Sequence, residues 1–449
     1  MHVTTRMSRI SQLGAMVLTI FALSAIARAD KASEPSKGLS WKKPRVARQN
    51  DPVESPVTAV TTPRAKASAV EPSDASPRQD IKRTSSPTPI RTARQIPDES
   101  AKRAVRATHV ETSGITLVRR AYDQSQEGDS EGHYSLIISQ CEQGIRAGVT
   151  NETERYAERL LSWAYNRRGK IAAEAGRDEQ ALEDFEAAVR YDKTRWRAFH
   201  NRGVSYALAG RNEEALADLS RTIELNPNYA NAFYNRAELH QERGHLEDAL
   251  KDYVRVIQLT PDDAAAHNSR GYCYYQLLRY PHAVRDFTEA IRLDPENSAA
   301  FANRGQLYSD LGYYARALQD FQRAANADPQ LGRAYQGAAW ILATCPNEKL
   351  RDTDEAVAAA SRAIELDGDD DPRYLDTLAA AYANAGEFEM AVQAQQASIE
   401  RSPEAAQENL QRRVNAFQQK KAFRSRPIKL VTAAKQVPQR GVPQRGAPR

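Results

Sequence analysis

The sequence predicts an all-α protein, a right-handed α-solenoid of helix-turn-helix repeats with disordered flanks. Two observations carry this prediction. A pattern of small and aromatic residues returns every 34 residues through the middle of the chain, and the segments on either side show no helical or strand period. With 41% hydrophobic residues, 27% charged residues and a mean hydropathy of −0.67, the chain is too polar for an integral membrane bundle.

Residues 1–29 have the features of a secretory signal peptide. Arg6 and Arg9 precede an apolar run from Leu13 to Ile26, and the small-x-small site Ala27-Arg28-Ala29 follows. The run is shorter than the roughly 20 residues that a spanning helix needs. We therefore expect a soluble exported product, periplasmic or extracellular, with an uncleaved anchor as the alternative.

The next segment, residues 30–112, is predicted to be a disordered, Pro-rich, basic linker. It holds ten prolines and 16 Lys and Arg against 10 Asp and Glu, and its apolar residues never recur at helical or strand spacing. Such a segment buries too little surface to offset its ordering entropy. Residues 424–449 are predicted to be a second disordered basic segment, because 11 Lys and Arg and no acidic residue occur from position 409 onward.

Five segments in the middle of the chain begin with an aromatic ring and end with Gly or Ala. They are Tyr165–Gly169, Phe199–Gly203, Phe233–Ala237, His267–Gly271 and Phe301–Gly305. An Ala follows each of them after twelve residues, at Ala181, Ala215, Ala249, Ala283 and Ala317. This pattern closely resembles the tetratricopeptide repeat family, whose consensus has an aromatic at position 4, Gly or Ala at 8, Ala at 20 and Pro at 32.

Each unit reads as a hairpin of two amphipathic helices, for example Ala198 to Leu208 and Glu213 to Leu225. The small residues Gly203 and Ala215 allow the two helices to approach closely. One hairpin leaves an apolar face uncovered, so the units must stack. Units are predicted at about 162–195, 196–229, 230–263, 264–297, 298–331, 332–371 and 372–405, after a degenerate hairpin at 113–161 and before a closing helix at 406–423.

Catalytic and metal-binding patterns are missing from the sequence. The eight histidines and three cysteines lack the spacing of zinc ligands, and no GxGxxG, Walker, GxSxG or HExxH motif occurs. We therefore predict no enzymatic activity, no cofactor and no metal. Cys141, Cys273 and Cys345 lie too far apart in the repeat order to be bridged, so free buried thiols are expected.

In the family, the first helices line a concave groove with positions 2, 5, 9, 12 and 13. Carried onto this chain, the resemblance implies that the ligand groove consists of Arg197, His200, Asn231, Tyr234, Glu238, Gln241, Asn268, Tyr272, Tyr275 and Ser309. Asn and Gln pair with a peptide backbone while Tyr rings cover its side chains, which favours a protein or peptide ligand. The alternative is that these residues only solvate a helix face.

Asn201, Asn235 and Asn303 match the position-6 Asn that holds a peptide terminus in the co-chaperone members of the family. Those members add Lys and Arg from neighbouring units, whereas here Lys170, Arg197 and Arg333 occur in separate places.

Three functions remain open at this stage. The first is a protein-interaction scaffold of the cell envelope. The second is a structural tether whose basic flanks bind anionic lipid or cell-wall polymer, because the segment between residues 113 and 408 carries a net charge of −15 and the flanks are basic. The third is self-association through the end units. The acidic middle disfavours nucleic acid.

Overall fold

A computed structural model describes residues 113–428, all within one unit, Ala59–Arg449. The predicted signal peptide, the predicted linker and the chain from residue 429 onward lie outside the described residues. The helices are α1 (113–124), α2 (Glu131–Arg146), α3 (Asn151–Glu174), α4 (Asp178–Tyr191), α5 (Trp196–Leu208), α6 (Asn212–Leu225), α7 (Ala230–Glu242), α8 (Leu246–Leu259), α9 (Ala264–Gln276), α10 (Tyr280–Leu293), α11 (Ser298–Asp310), α12 (Tyr314–Ala327), α13 (Gly332–Thr344), α14 (Thr353–Asp367), α15 (Pro372–Ala385), α16 (Phe388–Arg401) and α17 (Glu404–Gln418).

The predicted all-α solenoid is confirmed. From α3 to α16 the helices form seven hairpins, here called repeats 1 to 7, and each second helix also packs against the first helix of the next repeat. Contacts between the first helices of successive repeats complete the stack, for example between α5 and α7. Within residues 113–428 there is no β-strand.

The N-terminal helices share one core with repeat 1. Val118 of α1 and Ile137 and Cys141 of α2 are buried together with Leu160 and Trp163 of α3. Helix α3 begins at Asn151 and is 24 residues long, so its first turns extend beyond the repeat to contact α2. The N-terminal helices thereby cover the apolar end of the stack.

Small residues set the distance between the two helices of a repeat, as the sequence predicts. Ala215 and Leu219 are fully buried in repeat 2. In repeat 4, a Cβ atom added to Gly271 would lie 2.9 Å from two ring carbons of Phe287. Neither position has space for a larger side chain, which explains why the 34-residue pattern keeps Gly or Ala there.

A buried ion pair joins the two helices in each of the first five repeats. The guanidinium at position 7 donates two hydrogen bonds of 2.6–2.9 Å to an Asp carboxylate 16 residues later. The pairs are Arg168–Asp184, Arg202–Asp218, Arg236–Asp252, Arg270–Asp286 and Arg304–Asp320. The carboxylate side chains are at most 8% exposed.

The turn after the first helix needs a residue with positive φ. Gly210, Gly244 and Gly312 supply it in repeats 2, 3 and 5, with φ between 72° and 82°. In repeat 4 the same place is taken by Leu278, whose φ is 58° and whose side chain is 69% exposed. An L-residue pays a steric cost for this conformation, so repeat 4 carries local backbone strain.

The chain reverses direction after α17. Lys420 has a φ of 56°, and residues 421–428, here called the strap, then run back along repeats 6 and 5 without helical structure. Phe423 of the strap lies 5.7 Å from the ring of Trp340. Repeat 6 is longer than the others because an insertion forms a short 3₁₀ helix, Glu348–Leu350, between α13 and α14.

Replacing Asp286 by Ala should lower the free energy of unfolding by about 3–5 kcal/mol, because Arg270 would be left buried and unpaired. The exposed pair Arg292–Glu289 is the matched control, and Glu289→Ala should cost at most about 1 kcal/mol. Urea unfolding followed by circular dichroism measures both. Equal losses in the two variants would contradict the role assigned to the buried pairs.

Replacing Leu278 by Gly should raise the free energy of unfolding by about 1 kcal/mol, because the strained φ is relieved and the exposed side chain contributes little packing. The reciprocal change, Gly244→Leu, should lower it by a similar amount. Thermal unfolding of the two variants tests the pair, and a destabilised Leu278→Gly chain would show that the Leu side chain has a stabilising contact.

Candidate functional site

The first helices present a continuous polar and aromatic surface, here called the first-helix face. It consists of the side chains at positions 2, 5, 6, 9, 12 and 13 of α5, α7, α9 and α11, together with Asn166 of α3. Hydrogen bonds between residues 35 apart link successive helices on this face: Asn201 Nδ2 donates to Asn166 Oδ1 at 2.9 Å, and Asn303 Nδ2 donates to Asn268 Oδ1 at 2.9 Å. The side chains of the face are therefore held before any ligand binds.

At repeats 2 and 3 the face is built around His200. Its Nε2 lies 3.1 Å from Asn235 Nδ2, and its ring packs edge-on against Tyr229 at 4.9 Å. The predicted site residue Asn231 is exposed and donates to the Tyr229 hydroxyl at 3.4 Å. Arg197 stacks over the Trp196 ring at 4.3 Å. The structure thus brings Arg197, His200 and Asn231 to one aromatic cluster.

In the middle of the face, side chains of α7 are held by contacts with residues of α9. Tyr234 places its hydroxyl 3.3 Å from Ser269, and Gln241 Oε1 accepts from the Cys273 thiol at 3.0 Å. Part of the Glu238 side chain reaches solvent, yet loss of water around its carboxyl raises the pKa of Glu238. Tyr234 and Glu238 remain partly accessible, whereas the Gln241 amide oxygen is already engaged.

At repeats 4 and 5 the face is more aromatic. The rings of Tyr272 and Tyr275 lie 6.2 Å apart, and Tyr272 is 36% exposed. The Tyr275 hydroxyl donates to Asp310 Oδ2 at 2.6 Å, and burial raises the pKa of Tyr275. Ser309 is only 7% exposed, so it offers a ligand little surface.

The position-6 asparagines are used for contacts between repeats. Asn201, Asn235 and Asn303 each bond to the residue at position 5 of the preceding repeat. Arg333 also donates to Asn303 Oδ1, at 3.2 Å. The amide groups that, by the resemblance, would hold a peptide terminus are therefore already bonded to neighbouring repeats.

Three residues on or beside the face were not selected by the sequence. Trp196 and Tyr229 form the ring cluster beside His200, and Asp310 anchors Tyr275. The available signal was a pair of Asn residues that occurs twice, at position 5 of one repeat and position 6 of the next: Asn166 with Asn201, and Asn268 with Asn303. The Arg and Asp of the buried pairs also recur together at the 34-residue step.

The described residues bring no group of three His, Cys, Asp or Glu side chains together as metal ligands. Cys141, Cys273 and Cys345 are free and buried. Burial raises the pKa of Cys273 to about 12, so the thiol stays protonated near neutral pH. None of the helices in residues 113–428 combines the length and apolar character that crossing a membrane requires.

The folded chain should not react with iodoacetamide at pH 8, because its cysteines are buried and protonated. All three should be alkylated after unfolding. The pKa of Cys273 is higher in the folded chain than the value of about 8.5 in the unfolded chain. Keeping this thiol protonated therefore contributes to the free energy of unfolding below pH 8.5, and the contribution is lost as the pH rises toward 12. Mass spectrometry counts the labels, and labelling of the folded chain would contradict the burial of the thiols.

The fold and the face define a class of protein: stacked helical hairpins that present a preorganised surface on their first helices. Family models described as "TPR repeat" match residues 205–244 and 242–277, and models described as "Tetratricopeptide repeat" match residues 164–195, 264–297 and 298–331. Residues 164–195 and 205–331 are therefore tetratricopeptide repeats, and the resemblance seen in the sequence is confirmed.

Solved structures of similar fold include three proteins. PilF of Pseudomonas aeruginosa is 17% identical with a TM-score of 0.42, and the match covers 47% of this chain and 93% of that one. YrrB, described as a TPR protein with an unusual peptide-binding site, is 20% identical with a TM-score of 0.35 and coverages of 38% and 88%. MamA of Desulfovibrio magneticus is 20% identical with a TM-score of 0.36 and coverages of 38% and 96%. A comparison with curated proteins found no match.

Proposed function

We propose that this protein is a non-catalytic scaffold that binds an extended or helical segment of a protein partner on the first-helix face. The observation that carries the proposal is the preorganisation of that face: side chains from five successive repeats are fixed by hydrogen bonds from one first helix to the next. A ligand then meets a surface whose side chains have already lost their rotamer freedom, which reduces the entropic cost of binding.

The remaining polar capacity suits a polypeptide. Asn268 accepts through Oδ1 from Asn303, which leaves its Nδ2 to donate to a ligand carbonyl. The exposed ring of Tyr272 lies beside Tyr275 and offers apolar cover for a ligand side chain. Glu238 adds a carboxyl group whose pKa is raised because it is incompletely solvated. A hydrogen-bond donor on the ligand would replace the missing contacts with water.

The site of action is part of the proposal. The signal-like residues 1–29 favour export, with the scaffold acting in the periplasm or outside the cell envelope. Basic flanks beside an acidic repeat region would let the same chain contact anionic lipid or wall polymer, in which case the tether function replaces or accompanies partner binding.

A chain carrying Asn231→Ala and Tyr272→Ala should lose its partner in affinity capture from native envelope extract. Both side chains are exposed on the face, so their removal takes away ligand contacts without disturbing the core. The expected result is a discrete protein recovered by the unaltered chain and reduced at least about tenfold with the variant.

The matched control carries Asn228→Ala and Tyr313→Ala, the same residue types at exposed positions outside the face. It should recover the partner as the unaltered chain does, and circular dichroism should show the same helix content in all three proteins. Recovery of the same protein by the face variant would rule out the scaffold as proposed, and recovery of anionic polymer alone would favour the tether.

A further inference from the structure

Glu238 and Arg333 are two groups of opposite charge that lie on or beside the first-helix face without an ionic partner. Glu238 is at position 9 of α7, and Arg333 is at position 2 of α13. Both residues are exposed. Within residues 113–428, no Lys, Arg or His forms an ion pair with Glu238, and no carboxylate forms one with Arg333. Each charge is therefore accessible to a ligand of the opposite sign.

The surroundings of Glu238 contain no compensating cation. The hydrogen-bond partner of its carboxyl is the neutral Tyr234 hydroxyl, and the charge that acts on it is that of Glu242, one turn further along α7. Loss of water around the carboxyl raises the pKa of Glu238. An ionised carboxylate in such a place is stabilised more by an ammonium or guanidinium than by a neutral donor, because charge-assisted hydrogen bonds are stronger.

The groups around Arg333 are neutral, already bonded or also positive. Its Nη1 donates to the Asn303 amide oxygen at 3.2 Å. The carboxylate of Asp367 acts on its charge, but that carboxylate already accepts from the Tyr374 hydroxyl. Burial lowers the pKa of Arg333, and the positive charge of Arg373 adds to this effect. A guanidinium has five N–H donors, so one bond to an amide leaves several for a ligand carboxylate.

Two neighbouring charged groups are already engaged, which distinguishes them from Glu238 and Arg333. Arg373 pairs with Asp371 at 2.6 Å. The carboxyl of Asp310 accepts from two neutral donors, the Tyr275 hydroxyl at 2.6 Å and the Gln306 amide at 2.9 Å. A ligand would have to break these contacts before it could use either group.

The two unpaired charges lie at the ends of one connected surface. Asn268 of repeat 4 accepts from Asn303 of repeat 5, and Asn303 in turn accepts from Arg333 of repeat 6. The exposed Tyr272 ring, also in repeat 4, is near enough to act on the charge of Arg333. Amides and a ring thus occupy the surface between the acidic group in repeat 3 and the basic group in repeat 6.

One peptide segment is long enough to reach both charges. The first helices run from α7 through α9 and α11 to α13, which is three steps along the stack. Packed helix layers lie about 8–10 Å apart, so three steps cover about 24–30 Å. An extended chain rises about 3.3 Å per residue and covers this distance in about seven to nine residues.

We propose that the partner segment is extended and carries a basic side chain that binds Glu238 and, about seven to nine positions away, an acidic side chain that binds Arg333. The proposal rests on the function proposed above and adds the charge pattern of the ligand. It also fixes the direction of the segment, because a reversed segment would bring like charges together at both ends.

Peptide selection with the full chain as bait tests this inference. The probe is a phage-displayed library of random peptides of about 12 residues, which are longer than the span when extended. Enriched peptides should carry Lys or Arg and Asp or Glu in one fixed order, about seven to nine positions apart. A synthetic peptide with these two residues exchanged should bind at least about tenfold more weakly than the selected one in fluorescence anisotropy.

Three variants with unchanged helix content by circular dichroism make the test specific. Glu238→Lys/Arg333→Glu should prefer the exchanged peptide and bind the selected one about tenfold more weakly. Glu238→Gln/Arg333→Gln removes both charges, keeps an amide donor for Asn303 and should bind the two peptides equally. The matched control Glu224→Lys/Lys251→Glu reverses an acidic and a basic residue on the second helices and should keep the original preference.

The outcomes separate this inference from the proposed function. Enriched peptides that bind equally well after the charge exchange, or a Glu238→Lys/Arg333→Glu chain that keeps the original preference, would overturn the charge pattern and leave the scaffold in place. Enrichment of basic residues alone would also overturn it, since Arg333 would then have no ligand. If no peptide is enriched, both the scaffold and the charge pattern fail.

Discussion

The buried Arg–Asp pair inside each of the first five repeats is the constraint on which the rest of the structure depends. Its two parallel hydrogen bonds fix the rotation of the first helix against the second, because a planar guanidinium can donate two hydrogen bonds to one carboxylate in few orientations. The Arg at position 7 directly follows the position-6 residue that bonds to the preceding repeat. A rotation that broke the pair would also move that side chain, so the ion pairs inside repeats and the amide bonds between repeats support one another.

The pattern changes where the pairs end. Position 7 of repeat 6 is Ala338, and the core of that repeat is made largely of fully buried alanines such as Ala356 and Ala363. At this end of the stack, Arg413 of α17 pairs with Asp376 of repeat 7 and lies over the rings of Trp340 in repeat 6 and Phe423 in the strap. The closing helix and the strap therefore stabilise the end of the stack that lacks internal ion pairs.

The fold was predictable because the residues that recur every 34 positions are packed in the core. Packing limits which residue types are allowed at those positions. Gly271 and Ala215 recur for a steric reason that holds in every repeat. The site was predictable only in outline. The partners of His200 and Tyr275 lie 35 residues away, and choosing Asn235 and Asp310 over their neighbours requires the offset between successive first helices. The strap has no period at all, so its path could be seen only in the structure.

Equivalent positions are in contact from one repeat to the next, so the number of repeats can change. Removing residues 230–263 would delete one hairpin. His200 of repeat 2 would then lie opposite the hydroxyl of Ser269 in repeat 4 and not the amide of Asn235. The ion pairs on either side would be untouched, because each is contained within its own hairpin. Duplication or loss of a segment therefore changes the length of such a protein by whole hairpins. Each change alters the distance between the two ends of the first-helix face without requiring a new core.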